Sequence, residues 1–377
     1  MNNPFLFGKT VTGSSFINRT RELEYLSETL TRGQNVIIFS PRRYGKTSLI
    51  KRVLERLKEH RVLTFYFDLY RITTLEQFYQ YYSSSILASL QSPYEKIFSL
   101  VRTLIPSLRP KLVFADPGSP SIEIELNLDI LKKNSTLKEI FDFIEKYCVL
   151  KKRKACVVFD EFQEIISIEN GNLLEREMRS SFQHHQHVSY AFLGSKYHLM
   201  NDLFTDKSRP FYNFGSHYEL TEIGLEDWTY YIKEQFKKGG YTLTGDACKR
   251  MLSYTKGHPY YTQLFGSEVW ELYHKIKKIN ENDIDLALIQ VLRKESHAFV
   301  EFWDSLSNPE RKFISALSTS QDNEIFSNEF ITVNRLGALS SVQRTVAKLV
   351  KQGLLIKKSS RYEITDPLFL QWVKQDL

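Results

Sequence analysis

The sequence predicts an α/β chain in which a parallel sheet, covered by helices on both faces, is followed by an all-helical stretch and a small C-terminal winged helix. Three observations carry this. Short apolar runs alternate with amphipathic helical segments over residues 35–220, the pattern of strands buried on both faces between crossover helices. From Leu225 to Leu292 only the helical period remains. Two helices and a short hairpin then follow.

Taken in order, Arg19 to Leu30 reads as a helix with Asn18 as its N-cap and Leu23, Leu26 and Leu30 on one face. Asn35 to Phe39 is a buried strand, and Lys46 to Glu59 a helix whose Leu49, Ile50, Val53, Leu54 and Leu57 keep helical spacing. Val62 to Phe67 is the next strand, ending at Asp68, and Thr74 to Leu90 a helix. Leu112 to Ala115 and Ser121 to Leu128 form a hairpin, part of an insertion at about residues 91–135; the second strand alternates strictly. A helix from Thr136 to Cys148, a buried strand from Ala155 to Phe159, a helix from Leu173 to His185, and strands at Ser189 to Leu193 and Tyr218 to Leu220 complete the alternation. Near the C-terminus, helices at Glu310 to Leu317 and Ser341 to Lys351, the latter capped by Ser340, precede strands at Leu354 to Lys357 and Tyr362 to Thr365. The expected division is a core over 1–222, a helical lid over 223–296 and a winged helix over 297–377.

Composition bounds the function. Apolar and charged fractions of 42% and 25% are those of an ordinary globular protein. Three scattered cysteines, Cys148, Cys156 and Cys248, suit neither a disulfide framework nor a zinc site, so a reducing, cytoplasmic setting is expected. Residues 1–20 lack a basic region followed by an apolar run, so no signal peptide is expected there, and no apolar run approaches the ~20 residues of a membrane helix. The formal charge of +7 points weakly to anionic partners.

Ser40-Pro41-Arg42-Arg43-Tyr44-Gly45-Lys46-Thr47-Ser48 lies between a buried strand and an amphipathic helix, the context a phosphate-binding loop requires. Unpaired N–H groups at the helix start and its dipole attract an anion. Gly45 is expected to let the backbone close where a Cβ would collide with the β-phosphate. Lys46 is placed to meet the β- and γ-oxygens, and Thr47 to ligate Mg2+. Ser40 stands where the G-x-x-x-x-G-K-T pattern has its first glycine, at the end of the loop away from the closest contacts. A second motif, Ala155 to Glu161, runs four apolar residues and Phe159-Asp160-Glu161 to a strand's C-terminal end. Asp160 suits a hold on Mg2+ and Glu161 a general base for water. ATP or ADP with Mg2+ is the cofactor set that follows. Arg42 and Arg43 either clamp phosphate or face solvent or a partner. His184, His185 and His187 have no acid or cysteine spacing that completes a metal site and read as a solvated helix end; the run Lys151 to Lys154 reads as an exposed loop.

Phe16-Ile17-Asn18-Arg19 with Glu22-Leu23, the SPRRYGKTSL loop, VVFDEFQE and the later Gly257-His258-Pro259 together resemble the archaeal-type P-loop ATPases, relatives of the STAND and AAA+ proteins that also occur in bacteria. The resemblance spans nearly the whole chain. It implies an ASCE-type P-loop NTPase sheet of order 5-1-4-3-2, with the strand of Asp160 separated from the P-loop strand, then a helical lid and a winged helix. By the same resemblance, Phe16 to Arg19 packs near adenine and Pro259 approaches the nucleotide from the lid. Ser195 is implied as the sensor of the γ-phosphate. A plain N1 proline at 259 and a helix N-cap at Ser195 are the alternatives. Relatives carry an arginine after a Pro-x-Tyr element; here Arg209 precedes Pro210-Phe211-Tyr212, which leaves an arginine-finger role for it open.

From Arg335 to Tyr362 the charged residues are Arg335, Arg344, Lys348, Lys351, Lys357, Lys358 and Arg361, with no acid among them. Such a face suits DNA, but a winged helix can equally pack on protein. Three classes therefore stand: a nucleotide-dependent switch with a protein partner or an oligomer, a DNA-binding ATPase of the loader or transposition-helper kind, and a small-molecule kinase. Glu161 speaks against the kinase, since it activates water more naturally than a substrate hydroxyl.

Overall fold

A computed structural model of the chain describes residues 2–11, 16–17, 19–90, 94–104, 109–116, 119–125, 134–273, 278–320, 324–358 and 361–375. It divides into two compact units, one of residues 19–42 and 46–220, the other of residues 1–18, 43–45 and 221–377.

The first unit begins with α1 (Thr20–Thr31), β1 (Val36–Phe39), α2 (Lys46–Glu59), β2 (Leu63–Asp68) and α3 (Leu75–Ser89). Then come α4 (Tyr94–Leu104), β3 (Arg109–Asp116), β4 (Ser119–Glu125) and α5 (Asn134–Lys151). It closes with β5 (Ala155–Asp160), a 3-10 turn (Phe162–Ser167), α6 (Gly171–Phe182), β6 (Val188–Gly194), α7 (Tyr197–Thr205) and β7 (Ser216–Glu219). Five strands pair in the order β2-β5-β6-β1-β7, every neighbour parallel. Counted along the chain within this sheet, that is the expected 5-1-4-3-2, with β6 between the strand of Asp160 and β1. Every residue of β1, β5 and β6 is buried, as their apolar runs require. An aromatic column crosses the sheet: Phe67 lies 4.7 Å from Tyr82 and 5.4 Å from Phe159, which lies 5.7 Å from Phe192.

The insertion is the expected antiparallel hairpin, β3 with β4, pairing Arg109 with Glu125 and Leu112 with Ile122. The predicted continuation to Leu128 lies outside the described residues, as does the predicted cap Asn18. The helix α4 was not read from the sequence. Of the histidine cluster, His184 is exposed as expected, while His185 and His187 depart from that reading. The helix before it ends at Phe182, and His185 is buried between the Tyr190 hydroxyl at 2.6 Å and Asp142 Oδ1 at 3.0 Å. His187 Nδ1 meets Glu145 Oε1 at 2.8 Å. Both rings tie the entry of β6 to acids on α5; the His185 ring is buried, and the His187 ring stays partly in solvent. Residues 151–154 are exposed as expected, with Lys154 donating to the Thr31 carbonyl at 2.9 Å.

The second unit holds α8 (Leu225–Lys238), β8 (Thr242–Leu243), α9 (Gly245–Thr255), α10 (Pro259–Leu272), β9 (Lys278–Ile279) and α11 (Glu281–Ser305). It continues with α12 (Asn308–Thr319), α13 (Asn328–Val333), α14 (Leu339–Lys351), β10 (Leu355–Lys358), β11 (Arg361–Ile364) and α15 (Pro367–Gln375). The all-helical reading of 225–292 is corrected by the parallel pair β8 and β9, two residues each and too short to show a strand period. The cap of α14 is Ala338, without a side-chain bond, and not Ser340. The C-terminal hairpin pairs Leu355 with Ile364 and Lys358 with Arg361. Phe5, from the N-terminal segment, is buried 5.2 Å from Phe236, and a Cβ at Gly266 would stand 2.6 Å from its ring. No helix among the described residues is long and apolar enough to cross a membrane.

The 25-residue α11 starts from a capping box: Asn280 Oδ1 accepts from the Asn282 N–H at 2.9 Å and Asp283 Oδ2 from the Asn280 N–H at 2.9 Å. Replacing Asn280 with Ala leaves first-turn donors without their partner. The expected result is a loss of about 1 kcal/mol, read as a lower urea midpoint at unchanged slope. An unmoved midpoint would show that the cap contributes nothing.

Candidate nucleotide site

β1 runs apolar into Ser40 and α2 starts at Lys46, so the loop between them delivers the helix's free N–H groups to the C-terminal edge of the sheet. Gly45 has φ +84°, a left-handed conformation that disfavours any residue with a Cβ. A Cβ there meets no protein atom within 4 Å, so within the chain it is the backbone angle that calls for glycine. Buried Lys46 donates from Nζ to the Ser40 carbonyl at 3.1 Å and the Pro41 carbonyl at 3.4 Å. Burial pulls its pKa down, against the opposing pull of Glu161 and Asp160. Ser40 is buried and its N–H meets the Gly194 carbonyl at 3.4 Å, so Ser40 closes the loop's base. Arg42 is exposed, and Ser48 is half-buried in the first turn of α2.

The Thr47 hydroxyl donates to Asp160 Oδ2 at 2.8 Å. The same oxygen accepts from the Tyr66 hydroxyl at 2.6 Å, and Asp160 Oδ1 accepts from the Glu161 N–H at 3.0 Å. Burial raises the Asp160 pKa, while the bonds from Tyr66 and Thr47 hold it down. Glu161 sits at φ 51°, ψ 43°, the left-handed region that a residue with a side chain enters only under constraint. Its Oε2 accepts from the Ser195 hydroxyl at 2.7 Å and from the Gln163 amide. The N-cap of α7 is Lys196, so Ser195 does not cap that helix. Ser40, Lys46, Thr47, Asp160, Glu161 and Ser195 thus converge in the first unit.

Arg43 and Tyr44 belong to the second unit. Arg43 is exposed, in keeping with its solvent-facing reading, and its guanidinium also pairs with Glu295 at 3.1 Å and lies 4.3 Å from the Tyr260 ring centroid. The Tyr44 ring packs 4.6 Å from His258, whose own pKa burial lowers to about 3. Pro259 is the N1 residue of α10, with His258 as cap. Phe16 is half-buried beside the buried Ile17. Arg19, in the first unit, is buried and pairs with Glu22 at 2.9 Å. Arg209 meets the buried Glu175 at 2.8 Å.

Tyr66 and Gln163 are site residues to which the sequence reading gave no role, although Gln163 lies within VVFDEFQE. Tyr66 was within reach: pairing of Asp68 with Asp160 puts Tyr66 two residues back on the same face of the sheet. Gln163 lies in the 3-10 turn, where no period marks a direction.

The family described as an ATPase domain predominantly from Archaea matches residues 16–265, two thirds of the chain. The chain belongs to that family. A probable winged helix domain matches residues 297–375. Among solved structures, the Walker-type ATPase paby2304 of Pyrococcus abyssi superposes with a TM-score of 0.70 at 16% identity, covering 98% of this chain and 99% of its own. The ORC2 protein of Aeropyrum pernix superposes with a TM-score of 0.57 at 14% identity, covering 96% of each chain. At these identities the likeness is one of fold. No curated protein matches.

Proposed function

We infer that the protein binds ATP with Mg2+ and hydrolyses it, acting as a nucleotide-dependent switch. The observation that carries this is the convergence of Lys46, Thr47, Asp160, Glu161 and Ser195 at the start of α2. The Aeropyrum pernix relative is described in complexes with ADPNP and ADP, which supports nucleotide binding here.

The start of α2 receives the phosphates, with Lys46 supplying charge at the β- and γ-oxygens and Ser40 to Ser48 wrapping them. Thr47 and Asp160 fit a hard cation, since a hydroxyl and a buried carboxylate already share one point. Mg2+ held there would neutralise charge on the transferred group. Glu161 takes the proton from the attacking water, and Ser195, bonded to Glu161, reports the γ-phosphate to it. Phe16, Arg19 and Pro259 are assigned to the adenine end and the lid. The stretches 1–222, 223–296 and 297–377 are read as motor, lid and output. Phosphate release from ATP tests this: turnover should need Mg2+ and stop in EDTA. A purified protein that releases no phosphate under either condition would remove hydrolysis from the proposal.

The acid-free stretch from Arg335 to Tyr362 keeps a DNA-binding reading second. Against it, Lys348 pairs with the buried Glu310 at 2.9 Å and Lys358 with Glu222 at 3.2 Å, so two of its cations already serve acids of the same unit. The switch reading expects no duplex binding at low salt, with or without ATP, in a gel-shift series. If duplex binds, neutralising Arg344, Lys348 and Lys351 should flatten the slope of log K against log salt by roughly 0.9 per phosphate contact, and the DNA reading takes over.

A further inference from the structure

We propose that Gln163 positions Glu161 for turnover, an inference that rests on the reading of Glu161 as the base. The Gln163 side chain is buried, 1% exposed, and its amide is engaged by Ser195, Glu161 and Glu164, so a role in turnover runs through those neighbours. Its amide has a defined polarity. Oε1 accepts the Ser195 N–H at 3.3 Å, a bond only the oxygen can make. The NH2 group is therefore turned toward the carboxylates, where it donates to Glu161 Oε2 and, at 3.3 Å, to Glu164 Oε1. The seat for this amide is built by β6. A Cβ at Gly194 would stand 2.2 Å from Met200 Cγ and 2.6 Å from Gln163 Oε1, so glycine there leaves room for both side chains.

The consequence falls on Glu161. Gln163 and Ser195 both donate to Oε2, and among the described residues Oε1 accepts no hydrogen bond. One oxygen is anchored and the other is left to take a proton. Glu161 stands in the left-handed region just past β5, outside the regular strand conformation, and its carboxylate is held by these two donors. Ser195 lies at the site's edge, half-buried, and is assigned to the γ-phosphate. When its hydroxyl turns to substrate, Gln163 is the donor that keeps Glu161 in place.

Gln163→Met keeps the shape and removes the amide; Gln163→Ala removes both. Each is measured for kcat, KM for ATP and urea midpoint, in the native background and with Glu161→Gln. The expected result is a fall in kcat of about 10- to 100-fold for Gln163→Met with KM within about two-fold, since small misplacements of a reacting group have costs of that order. In the Glu161→Gln background, Gln163→Met should lower the residual rate no further. Native kcat in Gln163→Met, with or without loss in Gln163→Ala, would mean the residue only fills space and overturns the proposal. An equal fall in both backgrounds also overturns it. Wild-type turnover in Glu161→Gln alone would instead sink the reading of Glu161 as the base, leaving the two failures distinct.

Discussion

Lys46→Ala is expected to abolish ATP binding or turnover. The ammonium sits at the first residue of α2, buried, between the Ser40 and Pro41 carbonyls on one side and the charges of Asp160 and Glu161 on the other. Of the two arginines of the loop, Arg42 is exposed and Arg43 is engaged with Glu295. Neither can replace a charge that α2 itself places. Charge-assisted bonds to phosphate are each worth roughly 1.5–3 kcal/mol, so losing Lys46 should weaken ATP by on the order of a hundred-fold. The substitution also leaves two neighbouring acids without their cation, so a small loss of stability accompanies it. Calorimetry giving native ATP affinity, together with native phosphate release, would sink the phosphate-loop assignment.

Glu161→Gln is expected to keep ATP binding and to lower turnover by about 10²- to 10⁴-fold, the usual contribution of a placed general base. The geometry explains why binding survives. Ser195 and Gln163 both donate to Oε2, and the oxygen of a glutamine at 161 can accept the same two bonds. The left-handed backbone suits glutamine no worse than glutamate. What is lost is the ability to take the proton of water. Single-turnover measurements should then show ATP retained on the protein, and native turnover would strip Glu161 of the role.

Much of this was legible from local pattern. β1 and β5 as far as Phe159 are apolar without interruption because both faces of a parallel strand are covered. Gly45-Lys46-Thr47 lies one short loop after β1 and Asp160-Glu161 at the end of β5, so the chemistry stands close to the elements that position it. Side-chain contacts between distant segments left no such mark. The expectation that the histidine cluster at 184–187 is solvated holds for His184 but fails for His185, because Asp142 arrives from an earlier helix to meet its buried ring. Ser340 failed as a cap because α14 starts at Leu339, two residues before the expected Ser341, which puts Ser340 inside the first turn.

Chain order thus suffices for the loop, the acid pair, the strand alternation and the C-terminal hairpin, since each is specified within some ten residues. Tertiary structure decides that Tyr66 and Thr47 meet on one oxygen of Asp160, and that Arg43 pairs with Glu295 and Tyr44 packs on His258, far later in the chain. It alone turns Gln163 toward Glu161. The reason is physical: periodicity records which face of an element is buried, but not which side chain from elsewhere meets it there.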